Sequence, residues 1–266
     1  MSEAVLETRD VTRIFGGGRP LFGRRRPLVR AVDGVTLAVP RGKTLGVVGE
    51  SGCGKSTLAR MMVGLLAPTA GDIALDGRSV SEMARRDRKT LHRKVQMVFQ
   101  DPLGSLNPRK TVRRILEAPL IALHGMGASA RRYRVAELMS LVSLRAEFAE
   151  RYPHEFSGGQ SQRIGIARAL AASPELIVLD EPVSALDVSV QAQVLKLLAD
   201  LQARLKLTFV FISHDLAVVE AISDEVAVMY LGKVVERGPR ERIFAEPQHD
   251  YTRLLLASSP GARGAR

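Results

Sequence analysis

Leu45-Gly-Val-Val48, followed by Gly49-Glu50-Ser51-Gly52-Cys53-Gly54-Lys55-Ser56-Thr57, decides the fold. A short apolar run ends in glycine, a glycine-rich loop follows, and Leu58 to Leu66 reads as an apolar helix. The loop matches G-x-x-x-x-G-K-[S/T] in the strand–loop–helix context that gives the pattern its meaning. Glycines let the chain wrap tightly, so that backbone N–H groups point inward as an anion nest. The helix presents its N-terminus to the same anion. Lys55 is then expected to neutralise the β- and γ-phosphates of a nucleotide, and Ser56 to ligate Mg²⁺ through its hydroxyl. A chance glycine-rich turn would not need strand, loop and helix in this order.

Further strand-like runs lie outward from this point: Val95 to Phe99, Leu176 to Leu179, Phe209 to Ile212 and Val226 to Tyr230. They alternate with helical patterns, which predicts an α/β fold with a largely parallel sheet. Near-continuous apolar strands suit a sheet covered by helices on both faces. Val190, Val194, Leu197, Leu198, Leu201 and Leu205 share one helical face, with Asp187 placed to cap that helix. Residues 111–172 read as helical without strands, an inserted subdomain. Gly16 to Arg30 (GGGRPLFGRRRPLVR) is expected to be an exposed loop, and Pro260 to Arg266 a disordered tail.

The other chemistry-bearing residues close strands. Leu176-Ile-Val-Leu-Asp180-Glu181 delivers Asp180 to the sheet end where ligands of such folds bind. A carboxylate there can hold Mg²⁺, and Glu181 can accept a proton from an attacking water. Alone, the pair could simply cap a strand; beside the phosphate loop the catalytic reading is favoured. His214 closes Phe209-Val-Phe-Ile-Ser-His214 and is expected to contact a γ-phosphate. Gln100 follows Val95 to Phe99 and could bond Mg²⁺ or the attacking water. Phe156-Ser157-Gly158-Gly159-Gln160 opens a helical run, a second anion-binding helix start that makes sense facing a nucleotide on another subunit.

Composition bounds these readings. The chain has 266 residues, 45% hydrophobic and 25% charged, which excludes disorder as the main state. No apolar run approaches the roughly 18 residues of a membrane-spanning helix, and Met1-Ser-Glu-Ala-Val-Leu-Glu does not resemble a secretory signal. A single cysteine, Cys53, rules out an internal disulfide framework and a multi-cysteine metal site. The net charge of +11 suits an anionic partner, whether nucleic acid, phosphate or acidic lipid headgroups. With 5% aromatics and no Trp, a base-stacking surface has little to work with. Cys53 lies by a helix N-terminus and Lys55, which favours a thiolate, although a small loop filler is the simpler role. A bulky label on it should block nucleotide binding.

The order phosphate loop, Gln100, Ser157-Gly-Gly-Gln160, Asp180-Glu181, Ser184-Ala-Leu-Asp187 and His214 resembles the ATP-binding subunit of an ABC transporter over about the whole chain. Finer likeness is to the dipeptide/oligopeptide and nickel import branch, close to its F-type ATPase subunit. It rests on Gln100-Asp-Pro-Leu-Gly-Ser-Leu-Asn-Pro-Arg109, Glu181-Pro-Val-Ser-Ala-Leu-Asp-Val-Ser-Val-Gln191 and His249-Asp-Tyr-Thr252. The resemblance implies a P-loop NTPase (RecA-like) core at residues 1–99 and 173–244, with an antiparallel β subdomain. A helical subdomain at 100–172 and a tail at 245–266 complete the domain.

It also implies two ATP molecules, with Mg²⁺ on Ser56, Gln100 and Asp180, sandwiched in a head-to-tail dimer with a second ABC ATPase or another copy. Glu181, His214, Gln100 and Lys55 would be catalytic. Residues 49–57, Ser157, Gly158, Gly159, Gln160 and Asp187 would bind nucleotide, and Phe15 would stack on adenine. Partners would be two permeases and, indirectly, an extracytoplasmic substrate-binding protein, at the cytoplasmic face of the inner membrane. The solute could be peptide, nickel or glutathione. A soluble ABC ATPase acting on nucleic acid is the rival class, although its relatives carry a long coiled-coil insertion or two cassettes per chain. Departures from the family pattern are Phe156 for Leu, Ser161 for Arg, Asp250 for Pro, and an end at Arg266 where many relatives continue into a cysteine-bearing extension.

Overall fold

The computed structural model describes residues 4–16 and 27–258, in two compact units. One is built from the chain up to Arg86 and from Phe211 onward, the other from Asp87–Val210. The runs 95–98 and 176–180, expected in the ATPase core, therefore group with the helices that separate them.

The first unit begins with β1 (Ala4–Phe15), β2 (Val29–Pro40), β3 (Thr44–Val48), α1 (Lys55–Met62), β4 (Ala70–Leu75), β5 (Arg78–Ser79) and α2 (Val80–Arg86). Strands β2-β1-β4-β5 form an antiparallel sheet, with Thr8 opposite Leu37 and Phe15 opposite Val29. Val35, Leu37 and Val39 are buried while Thr36 between them is exposed, the period-2 alternation of a sheet with one covered face. Thr8 is buried as well, its hydroxyl donating to Val35 O at 3.0 Å and accepting from Leu37 N at 2.8 Å. A buried polar side chain is tolerated here because both its hydrogen-bonding roles are filled.

The second unit contains α3 (Arg88–Lys94), β6 (Val95–Val98), α4 (Pro102–Ser105), α5 (Val112–His124), α6 (Ala128–Leu141), α7 (Gly158–Leu170), β7 (Leu176–Asp180) and α8 (Val188–Leu205). Two 3-10 turns, Ala146–Glu150 and Pro153–Glu155, precede α7. Strands β6 and β7 pair in parallel, and β7 is buried along its whole length. Residues 111–172 are helical, as their pattern predicts. Thr111, Ser157 and Asp187 cap α5, α7 and α8 through side-chain oxygens. The buried stripe of α8 is Val194, Leu197, Leu198 and Leu201; Leu205, expected on it, is exposed where the helix ends.

Strand β8 (Thr208–Ser213) leads back into the first unit, which closes with α9 (Leu216–Ile222), β9 (Glu225–Tyr230), β10 (Lys233–Pro239), α10 (Arg240–Ala245) and α11 (Asp250–Ser258). Strand β9 lies parallel to β3 and antiparallel to β10. The sheet content is thus less uniformly parallel than the apolar runs predict: β1, β2, β4, β5 and β10 all pair antiparallel.

Two expectations change at the ends of elements, and others fall outside the described residues. Val29 and Arg30, read as loop, pair with Phe15 and Ile14 in β2. Residues 17–26 of that arginine-rich stretch, and Pro260 to Arg266, lie outside the described residues. Residues 250–258, read as part of a tail, form α11 with Tyr251 and Thr252 buried. The buried carboxylate of Glu236 holds the turn before this helix, accepting from Gln248 N at 2.8 Å and His249 N at 3.0 Å.

Candidate functional site

The phosphate loop leaves β3, which is buried at every position, and enters α1 at Lys55. Gly54 caps this helix with φ 109°, a left-handed conformation that only glycine adopts without strain. A Cβ there would lie 2.0 Å from the Ala31 carbonyl oxygen, and one at Gly49 2.1 Å from that of Met229. The loop is therefore pressed between the backbones of β2 and β9. Gly232 N donates to Cys53 O at 3.0 Å, and Gly232 O accepts from Asp33 N at 2.8 Å. Lys55 is buried, and its ammonium donates to Gly49 O at 2.6 Å and Glu50 O at 2.9 Å. A buried cation needs such partners, and here its own loop supplies them. The N–H groups of the first turn of α1, at Lys55, Ser56 and Thr57, have no acceptor within the helix and suit an anion.

Glu50, Ser51 and Gly52 form the exposed lip of the loop, whereas Cys53 is buried. Burial pushes the Cys53 thiol up, against the opposing charge of Lys55. The thiolate expected from its neighbours does not survive this desolvation, and the small-filler role fits. Phe15 ends β1 as an exposed residue, and the Arg13 guanidinium lies 4.8 Å from its ring centroid. One ring face is thereby covered, and an aromatic surface remains for a planar ligand. His214 is exposed directly after β8, ahead of Asp215, which caps α9 by accepting from Ala217 N and Val218 N.

The second unit carries the remaining predicted residues. Buried Asp180 ends β7, and Glu181 follows in the left-handed region at φ 48°. Such a conformation is costly for a glutamate and marks a position held by its surroundings. The structure joins two of the predicted groups directly: Gln100 Nε2 donates to Glu181 Oε2 at 3.0 Å. Ser157 caps α7 in a reciprocal box, its hydroxyl accepting from Gln160 N at 3.3 Å and its N–H donating to Gln160 Oε1 at 3.0 Å. Gly158 is exposed in the first turn. Gly159 is buried, and a Cβ on it would lie 2.4 Å from Val190 Cγ1, so packing against α8 alone requires a glycine there. Asp187 caps α8, accepting from Ser189 Oγ at 2.8 Å and Val190 N at 3.0 Å; these bonds hold its carboxyl below the usual range.

The donor set expected for Mg²⁺ consists of a hydroxyl (Ser56), an amide (Gln100) and one carboxylate (Asp180). These are hard oxygens, the kind Mg²⁺ takes when substrate phosphates and water complete its octahedron.

The sequence profile of the family described as "ABC transporter" matches residues 32–184, more than half of the chain. The chain belongs to the ABC transporter family. It is 52% identical over 262 residues to the oligopeptide transport ATP-binding protein AppF of Bacillus subtilis, covering 98% of this chain and 80% of that one. It is 49% identical over 260 residues to the dipeptide transport ATP-binding protein DppF of Escherichia coli K12, covering 98% and 78%. Among solved structures it is similar to cbiO1 from Clostridium perfringens, part of the ABC transporter complex cbiONQ, with a TM-score of 0.79 at 26% identity over 92% of both chains. A dimeric post-hydrolysis state of the ATP-binding cassette MJ0796, bound to ADP and Pi, matches with a TM-score of 0.78 at 29% identity, over 88% of this chain and 98% of that one. The expected fold stands: a P-loop NTPase core with an antiparallel β subdomain and an inserted helical subdomain.

Two residues of this ABC domain escaped the sequence reading. Arg168 of α7 donates to Ser105 O at 2.5 Å and Ser105 Oγ at 3.4 Å, tying α7 to the segment that follows Gln100. Burial lowers its pKa. Tyr251 belongs to His249-Asp-Tyr-Thr252, a segment that carries the branch resemblance but no expected role, and its hydroxyl accepts from Glu50 N of the phosphate loop. Both links join residues far apart in the chain.

The state of Cys53 is open to test. In the folded chain, maleimide labelling at pH 7.5 should run at least ~10-fold slower than in denaturant, since only an accessible thiolate reacts. The deficit should widen as pH rises through the range where the denatured chain's thiol ionises, because burial raises the folded thiol's pKa above that of the denatured chain. Equal rates in the folded and denatured chain would contradict the burial.

Proposed function

We propose that this chain is the ATP-hydrolysing subunit of an ABC importer of di- or oligopeptides, seated peripherally on the cytoplasmic face of the inner membrane. The observation that carries the reading is the phosphate loop itself, a glycine-sealed cradle with a buried lysine at its base. Relatives of about 50% identity named as peptide transport ATP-binding proteins support the solute class. No described helix is long and apolar enough to cross a membrane, so work on a solute calls for separate membrane-embedded subunits. Nickel and glutathione are the alternative cargoes of the same branch, because cargo does not touch this subunit.

In this reading Lys55 and the loop N–H groups bind the β- and γ-phosphates, and Phe15 stacks on the adenine. Ser56, Asp180 and Gln100 hold Mg²⁺, which neutralises phosphate charge when bound. Glu181 accepts the proton of the attacking water. The Gln100 amide orients the Glu181 carboxylate through the bond to Oε2. His214 donates to the γ-phosphate. The start of α7, at Ser157 to Gln160, faces the nucleotide of a second ATPase subunit, with Asp187 linking the two sites. Burial of Gly159 against Val190 leaves Ser157 and Gly158 as the exposed contacts. The ATPase pair sits beneath two permeases, and a substrate-binding protein outside delivers cargo.

The +11 charge is the feature that would favour the nucleic-acid rival; an anionic membrane face accounts for it equally. The tagged chain, purified from gently solubilised membranes, should carry two multi-spanning permeases and a second ATPase. Nucleic acid or ribosomes retained at moderate salt, without a permease, would overturn the transport reading and leave the ATPase chemistry intact. Glu181→Gln should keep ATP binding and lose roughly 10²- to 10⁴-fold in turnover, the usual span for a general base. Wild-type turnover in that variant would remove Glu181 from the mechanism.

A further inference from the structure

The segment His249-Asp250-Tyr251-Thr252 lies about 200 residues beyond the phosphate loop in sequence, and the proposed reaction gives it no task. In the folded unit it reaches that loop. The Glu50 N–H donates to the Tyr251 hydroxyl oxygen at 3.2 Å. The same residue, Glu50, offers its carbonyl to the Lys55 ammonium at 2.9 Å. Tyr251 thus pins one side of the residue whose other side holds the lysine.

Tyr251 is itself fixed on two sides. Its ring packs on Tyr230 at the end of β9, with centroids 4.1 Å apart and planes tilted by 32°. Its backbone N–H donates to His249 Nδ1 at 3.1 Å, and the turn ahead of it is anchored on Glu236 through the N–H groups of Gln248 and His249. Burial works against the Glu236 charge, yet the bonds it accepts hold its carboxyl below the ordinary value, so the anchor is ionised at neutral pH. Burial pushes the Tyr251 phenol up, and the hydroxyl stays neutral. Tyr251 as a whole is 8% exposed, which leaves its hydroxyl little freedom to choose another partner.

We propose that Tyr251 is a positioning residue for nucleotide binding: through its hydroxyl, α11 holds the Glu50 peptide so that the loop presents Lys55 to incoming phosphates. This rests on the ATPase reading above. Within the loop, the Gly49–Glu50 peptide is held at its carbonyl by the Lys55 ammonium; a bond at that end alone leaves the N–H end some freedom to rotate. The tether removes that freedom before the nucleotide arrives, and preorganisation of this kind raises affinity by lowering the ordering cost of binding. Its effect belongs in binding rather than in the chemical step, since the hydroxyl does not touch the reacting atoms.

Tyr251→Phe in the full chain keeps the ring and removes the acceptor. It should melt within a few degrees of the wild type without nucleotide, bind ATP about 3- to 10-fold more weakly, as loss of one hydrogen bond implies, and raise KM by the same factor with kcat unchanged. Should the variant melt lower, amide exchange separates the two causes. Faster exchange at Glu50 with unchanged protection at Val47 and Val48 of β3 supports the tether, and uniform loss of protection overturns it. ATP affinity equal to wild type would overturn the role of Tyr251 while leaving the ATPase reading in place. A wild-type chain that binds no ATP would overturn both.

Discussion

The phosphate loop admits only glycine at positions 54 and 49, because a Cβ at either would lie about 2 Å from a backbone carbonyl oxygen, that of Ala31 or of Met229. Any side chain at either position would collide with a peptide group, which cannot rotate aside as a side chain can. Strands β2 and β9 therefore dictate the loop's shape as much as its own sequence does. Gly232 at the β9–β10 turn seals the arrangement by bonding Cys53 O on one side and Asp33 N on the other. The buried ammonium of Lys55 closes the base, satisfied by the loop's own carbonyls. A cation desolvated and oriented in advance is worth more to an arriving phosphate than one hydrated on the surface.

The second unit applies the same economy to different groups. Glu181 is held in a left-handed conformation and tied to Gln100, so the proposed base and its orienting amide are one hydrogen-bonded pair. Arg168 fastens α7 to the segment after Gln100, and Gly159 lets α7 lie flush against Val190 of α8. Helix α7 and the segment after Gln100 are thus held to one another by particular contacts. Tyr251 does for the phosphate loop what Arg168 does for the Gln100 segment, from an element remote in sequence.

Much of this was legible from residues alone. The strands that are buried throughout, β3, β7 and β8, announce themselves as continuous apolar runs, and Asp187 and Ser157 cap the helices their positions predict. The antiparallel strands were not read from pattern, because half their side chains face solvent and their apolar residues alternate with Thr, Arg and Asp. The alternation Val35-Thr36-Leu37-Ala38-Val39 was the available signal. For Cys53 the filler role is the one the structure fits; the pull of Lys55 and the helix start toward a thiolate is legible in sequence, but the burial that outweighs it is not. The Tyr251 contact was invisible because nothing in a motif reveals which distant side chain will meet a loop. Ring burial and a Glu anchor 15 residues earlier leave no periodic trace.

Thermal unfolding of the full chain with Mg²⁺ and saturating ATP, ADP or AMP tests the phosphate cradle most directly. A ligand that binds only the folded state raises the melting temperature in proportion to its affinity. The account predicts concentration-dependent stabilisation by ATP and ADP, whose β-phosphate reaches Lys55 and the α1 N–H groups, and none by AMP. No shift with ATP, or an equal shift with AMP, would contradict it.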